Sequence, residues 1–95
     1  MIEVQQTETF RAWIKGLRDR AGAAIVARRI DRMRNGLLGD VKFFDGIGEM
    51  RIDVGPGYRV YFARRGNVLI VLLCGGDKST QRRDIEMAKS LAENL

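Results

Sequence analysis

The sequence predicts a single α+β domain spanning residues 1–95, in the order β-α-α-β-β-β-α. Three observations predict it. Two stretches near the N-terminus carry apolar residues at helical spacing, three short apolar segments come one after another with glycine turns between them, and the last segment returns to helical spacing. This order gives an antiparallel meander with a helical hairpin on one face and a C-terminal helix.

Each element has its own warrant. Ile2 to Gln5 reads as a short strand. Thr7 is an N-cap, and Phe10, Trp13, Ile14 and Leu17 then lie on one helical face. Asp19 caps a second helix whose inner stripe is Ala23, Val26, Ala27, Ile30 and Met33, ended by Asn35-Gly36. The glycine-rich segment Gly39 to Gly48 reads as a loop. Glu49 to Val54 and Tyr58 to Arg64 alternate as strands around the turn Gly55-Pro56-Gly57, and Arg65-Gly66-Asn67 makes the next turn. Val68 to Cys74 is apolar on both faces, as expected of a strand inside the sheet. Gly75-Gly76 then ends that strand and lets the chain turn. Asp77, Ser79 or Thr80 caps the final helix, which Ile85, Ala88, Leu91, Ala92 and Leu95 line on one side.

Composition narrows the function classes. Lys plus Arg is 17 against 12 for Asp plus Glu, a net charge of +5, and most of the cations are arginine. Guanidinium groups favour bidentate contact with phosphate or carboxylate, so nucleic acid or an acidic protein segment is the natural partner. No apolar run is long enough to span a bilayer, and the first residues do not form a leader, so a cytoplasmic protein without a membrane partner is expected. One cysteine and no histidine leave no metal site of usual spacing, and no cofactor is expected. Cys74 reads as a small core residue.

Strand alternation sorts the meander side chains. Tyr58, Val60 and Phe62 share a face with Met50, Ile52 and Val54, leaving Arg59, Tyr61, Glu49, Arg51 and Asp53 opposite. If the hairpin covers the apolar face, Arg51, Arg59 and Tyr61 stand together on an uncovered one, joined by Lys78 and Gln81. An aromatic beside two arginines suits single-stranded RNA, although an ordinary solvated sheet face would look the same. Arg28, Arg29, Arg32 and Arg34 crowd the second helix, as a solvated surface or as a docking face.

The segments GDVKFFDGIGEMRIDVGPGYRVYF and CGGDKSTQRRDIEMAKSLAENL, above all GPGYRVYF and GGDKSTQ, resemble the RelE/ParE toxin superfamily and within it the HigB-like branch. The resemblance covers nearly the whole chain. It implies a ribosome-dependent mRNA endonuclease that inhibits translation, neutralised by an antitoxin encoded beside it. That antitoxin is expected to be a helix-turn-helix protein through which alone operator DNA is contacted. By this match Arg59 is the arginine that engages substrate phosphate, Lys78 the basic residue after the last meander strand, and Arg51 a further cation. Transesterification by a ribose 2′-hydroxyl needs no metal. Arg59 and Arg51 would stabilise phosphoryl charge, Lys78 would serve proton transfer, and Tyr61 would orient the hydroxyl or stack on a base. Gln81 and Arg82 extend the RNA-binding set, and Arg28, Arg29 and Arg32 form the antitoxin-binding set. The chain departs from relatives in having no histidine and no tyrosine in its C-terminal helix, which leaves the general base open. A gyrase inhibitor of ParE type, an inactive antitoxin-binding relative and an unrelated small RNA-binding domain are the alternatives.

Overall fold

A computed structural model describes residues 1–95 as one α+β domain with three α-helices and a five-stranded mixed sheet. Strand β1 (Glu3–Gln6) leads into helices α1 (Glu8–Gly16) and α2 (Arg20–Arg34). Strands β2 (Val41–Phe44), β3 (Ile47–Ile52), β4 (Tyr58–Arg65) and β5 (Leu69–Asp77) come next, and a 3₁₀ turn at Lys78–Thr80 opens helix α3 (Gln81–Glu93). The sheet order is β1-β5-β4-β3-β2, with β1 parallel to β5 and every other pair antiparallel. No helix is long and apolar enough to cross a membrane.

The hairpin forms where its caps predict. The Thr7 hydroxyl accepts from the Phe10 N–H at 3.0 Å, and the Asp19 carboxylate accepts from the Gly22 N–H at 2.9 Å, each satisfying a helix donor that would otherwise be orphaned. Phe10, Val26, Ile30 and Met33 then pack with Met50, Ile52, Tyr58, Val60 and Phe62 in one core, with Trp13 and Ile14 against it. The strand register expected from alternation is the one observed. Ala27 differs: it is exposed at the rim and not in the inner stripe.

Three expectations are corrected. First, the segment read as a loop holds β2, which pairs with β3 through the tight turn Asp45-Gly46. Both turn residues have positive φ (51° and 80°), the geometry that favours an Asp-Gly pair in a two-residue hairpin. Second, β5 does not stop at Gly75-Gly76 but runs through both to Asp77. These glycines mark close approaches: a Cβ at Gly75 would enter the Trp13 ring, and one at Gly76 would enter the Asp84 carboxylate. Third, the sheet has no uncovered face. Helix α3 lies on the side opposite the hairpin and builds a second core of Ile47, Tyr61, Ala63, Val71, Leu73, Cys74 and Ala88. Leu95 stands outside it because the helix ends at Glu93.

A bulge makes the two-sided strand β5 work. Tyr61 pairs with Cys74 but Phe62 pairs with Leu72, so Leu73 is the extra residue. Ile70 and Leu72 therefore face the hairpin, whereas Leu73 and Cys74, although consecutive, both face α3. The Leu73 carbonyl accepts from the Thr7 hydroxyl at 2.6 Å, so the residue that caps α1 also satisfies the bulge.

Candidate functional site

Three charged or polar residues of the chain are buried, Glu49, Arg59 and Asp84, and all three lie on the α3 side of the sheet. Their placement comes from register. Arg51 pairs with Arg59 across β3 and β4, and Arg59 pairs with Gly76 across β4 and β5. One step along, Glu49 pairs with Tyr61 and Tyr61 with Cys74. Helix α3 lays Gln81, Asp84, Ile85 and Ala88 over these rows at helical spacing.

Polar satisfaction in this cluster is incomplete. The Arg59 side chain is 6% exposed, and its ion pair with Asp53 is 3.8 Å long, beyond hydrogen-bond range. Arg59 Nη1 donates to the Tyr58 carbonyl at 3.1 Å, while Nε is enclosed without a partner. Arg51 meets Asp40 at 3.1 Å, and its Nε is likewise enclosed and unpartnered. Glu49 accepts from Gln81 Nε2 at 2.9 Å. The Tyr61 hydroxyl is enclosed without a hydrogen-bond partner of good geometry, and burial, helped by the nearby Glu49 and Asp84 charges, pushes its pKa far up. It is a neutral phenol at all physiological pH. Orphaned buried polar atoms are rare in native proteins, and three of them, on Arg51, Arg59 and Tyr61, fall in this one cluster.

Lys78 enters from the end of β5. A Cβ placed on Gly57 would lie 2.8 Å from Lys78 Cδ and 3.5 Å from Arg59 Nη1, so the two cations flank this glycine, whose φ of +80° itself favours glycine. The turn that presents Lys78 is fixed locally. The Asp77 carboxylate accepts from the Ser79 N–H at 2.8 Å and from the Ser79 hydroxyl, contacts that hold its pKa below the usual range. Asp77 is thus the expected cap, but of the 3₁₀ turn and not of α3.

The structure pairs Arg51 with Arg59 across the sheet, sets Lys78 beside Arg59 around Gly57, and joins Gln81 to Glu49 one row along. It does not expose them as anticipated: Arg59 and Tyr61 lie beneath α3, where Tyr61 cannot stack on a base, because the bulged β5 and the apolar stripe of α3 seal that face. Arg82 is exposed beside Lys78, lining a shallow groove with Ser79, Ile85 and Glu86. On α2, Arg28 and Arg32 are exposed. Arg29 is half-buried and donates to the Arg51 carbonyl at 2.9 Å and the Leu38 carbonyl at 3.4 Å, so it ties α2 to β3. Cys74 is core, its thiol pushed up to about 12 by burial.

Sequence reasoning did not single out Glu49 and Asp84. Their signal was available: Gln81 and Asp84 fall on the same helical stripe as Ile85 and Ala88, and a polar residue on an inward stripe needs a buried partner. The Thr80 hydroxyl supplies one, donating to Asp84 Oδ2, and Arg83 Nε lies 3.7 Å from Asp84 Oδ1.

No family model matches the chain. An uncharacterized protein of Haemophilus influenzae is 48% identical over 95 residues, a match covering 99% of this chain and 96% of the relative.

Proposed function

We propose that this chain, which belongs to one family with that Haemophilus influenzae protein, is the toxin component of a toxin–antitoxin pair and cleaves mRNA on the ribosome. The observation that carries this reading is Arg59: a buried guanidinium with an unpartnered Nε, no carboxylate at hydrogen-bond distance, and Lys78 beside it. A site that encloses a cation with only a long ion pair to the exposed Asp53 suits a closer anion, and a phosphodiester supplies one.

The chemistry is attack of a ribose 2′-hydroxyl on the neighbouring phosphate. Negative charge gathers on the phosphoryl oxygens, and Arg59 with Arg51 meets it. Lys78 gives a proton to the departing 5′-oxygen. Gln81 and Arg82 hold flanking RNA at the groove beside Lys78. Tyr61 serves from beneath, as packing under the two arginines. An acidic antitoxin segment lies against Arg28 and Arg32.

The enclosure of Arg59 and Tyr61 favours one second reading. In a ParE-like inhibitor of DNA gyrase, or an inactive antitoxin-binding relative, these side chains would be structural only, and burial under α3 would be no obstacle. The test is growth arrest on expression, with new mRNA ends mapped in the arrested cells, and relief of both by Arg59→Ala.

A further inference from the structure

We propose that Gln81, held in direction by Glu49, selects the base beside the cleaved phosphate and favours the amino bases adenine and cytosine over the keto bases guanine and uracil. This role rests on the nuclease reading above and adds what the same site recognises.

Chemistry fixes the direction of the Gln81 amide. Glu49 is 2% exposed, so its carboxylate depends on a donor from the chain, and a carboxylate accepts hydrogen bonds but donates none. The amide must therefore turn its nitrogen towards Glu49, and Nε2 lies 2.9 Å from Oε2. The opposite rotation would set two acceptors against each other. The carbonyl Oε1 is thereby turned away from Glu49. It accepts from no donor of the chain, and it is not an enclosed atom. An oriented and unspent acceptor is left at the surface.

That surface is a groove of about 480 Å³, which Gln81 lines together with Lys78, Arg82 and Ile85. Its parts suit an unstacked base. Arg82 offers a planar guanidinium for the ring face, Ile85 an apolar side and Gln81 the acceptor. Lys78 joins the groove to the phosphate site, because it lines the one and flanks Gly57 with Arg59 at the other. A base in the groove is therefore a neighbour of a phosphate drawn to Arg59. The amino group of adenine or cytosine donates to Oε1, whereas the keto oxygen that guanine or uracil carries at the same place meets it acceptor to acceptor. Glu49 touches no RNA in this arrangement and is a positioning residue.

The test uses the full chain on ribosome-bound mRNAs in which each position flanking the cut carries the four bases in turn. Wild type, Gln81→Ala and Glu49→Gln are compared, with melting midpoints measured alongside. Wild type is expected to cut about fivefold or more faster when one fixed position holds adenine or cytosine, the size of leaving one acceptor unpaired. Gln81→Ala is expected to bring the amino sites down to the rate of the keto sites. Glu49→Gln lets the amide face either way, because glutamine both donates and accepts, and is expected to erase the preference too. Wild type without an amino-over-keto preference, or Gln81→Ala that keeps it, overturns the role while RNA cutting and the nuclease reading stand. A folded Gln81→Ala that cuts no base also overturns it, since the amide would then serve cutting and not selection. A folded Glu49→Gln that keeps the preference removes Glu49 from the role, and if that variant does not fold, Gln81→Ala decides. A wild-type protein that makes no cuts ends the nuclease reading and this role with it.

Discussion

Arg51 and Arg59 face each other directly across β3 and β4, and each meets its own acid, Asp40 at 3.1 Å and Asp53 at 3.8 Å. Like charges opposite one another in a sheet are unfavourable, and both Nε atoms are enclosed without partners. Both acids are themselves half or more exposed, so the compensation is weak. The pair is a stability cost that the fold carries, and the proposed function gives it a reason.

That cost can be measured. Arg59→Met keeps the length and apolar stem while removing the charge and the orphaned donor. Denaturant unfolding is expected to show the variant more stable by about 1–3 kcal/mol, while RNA cleavage is lost. An arginine on an open sheet face would contribute only about 0–1 kcal/mol, so the burial of Arg59 is what makes the change large enough to measure. A destabilised variant would mean that Arg59 is a structural member of the core.

The close approach at Gly75 makes a second expectation. A methyl group there would enter the rigid Trp13 ring, which is itself held edge-on to Tyr58 with centroids 6.3 Å apart. Gly75→Ala should destabilise by about 1–3 kcal/mol in thermal or denaturant unfolding. An unchanged midpoint would show that the hairpin can slide over the sheet.

Legibility from sequence differs between fold and site. Alternation in Tyr58–Phe62 and helical spacing in Phe10–Leu17 carry the hairpin-on-sheet core, because each pattern has one burial solution. Strand β2 escapes a sequence reading although Asp45-Gly46 is a hairpin signal, since Phe43-Phe44 makes too short a run beside so many glycines. Gly75-Gly76 looks like a strand end because sequence shows a missing side chain and not the ring or carboxylate that fills its place. The residues of the site are legible as types and positions. Their burial is legible only when the inward stripe of α3 and the two-sided apolar run of β5 are taken together, because neither pattern alone says which face α3 covers.

Tyr58 and Asp19 give a pH signature. The Tyr58 hydroxyl donates to Asp19 Oδ2 at 2.7 Å, and this bond raises the tyrosine pKa from 10.0 to about 12 and lowers that of Asp19. A raised tyrosine contributes stability that is complete below about pH 10 and lost as pH climbs through about 12. A lowered aspartate contributes stability present above its unfolded pKa and lost as pH falls through the folded one. Tyr58→Phe should therefore be less stable than wild type at neutral pH and should flatten both limbs of the stability curve. A variant whose acid and alkaline limbs match wild type would remove the bond from the account.

The arginines of α2 divide by role. Arg28→Ala with Arg32→Ala should leave folding unchanged and weaken binding of an acidic antitoxin, most visibly at low salt. Arg29→Ala should lower stability instead, because it removes the donor that ties the Arg51 and Leu38 carbonyls to the helix. Antitoxin binding that ignores both salt and the Arg28/Arg32 pair would place the docking surface elsewhere.

The central claim is most directly tested in a purified translation system by mapping RNA ends on ribosome-bound mRNA. The account predicts new ends with wild-type protein, loss of about a hundredfold or more in rate for Arg59→Ala, and little cutting of free RNA. Growth arrest by a protein that creates no new ends but blocks DNA supercoiling would contradict it.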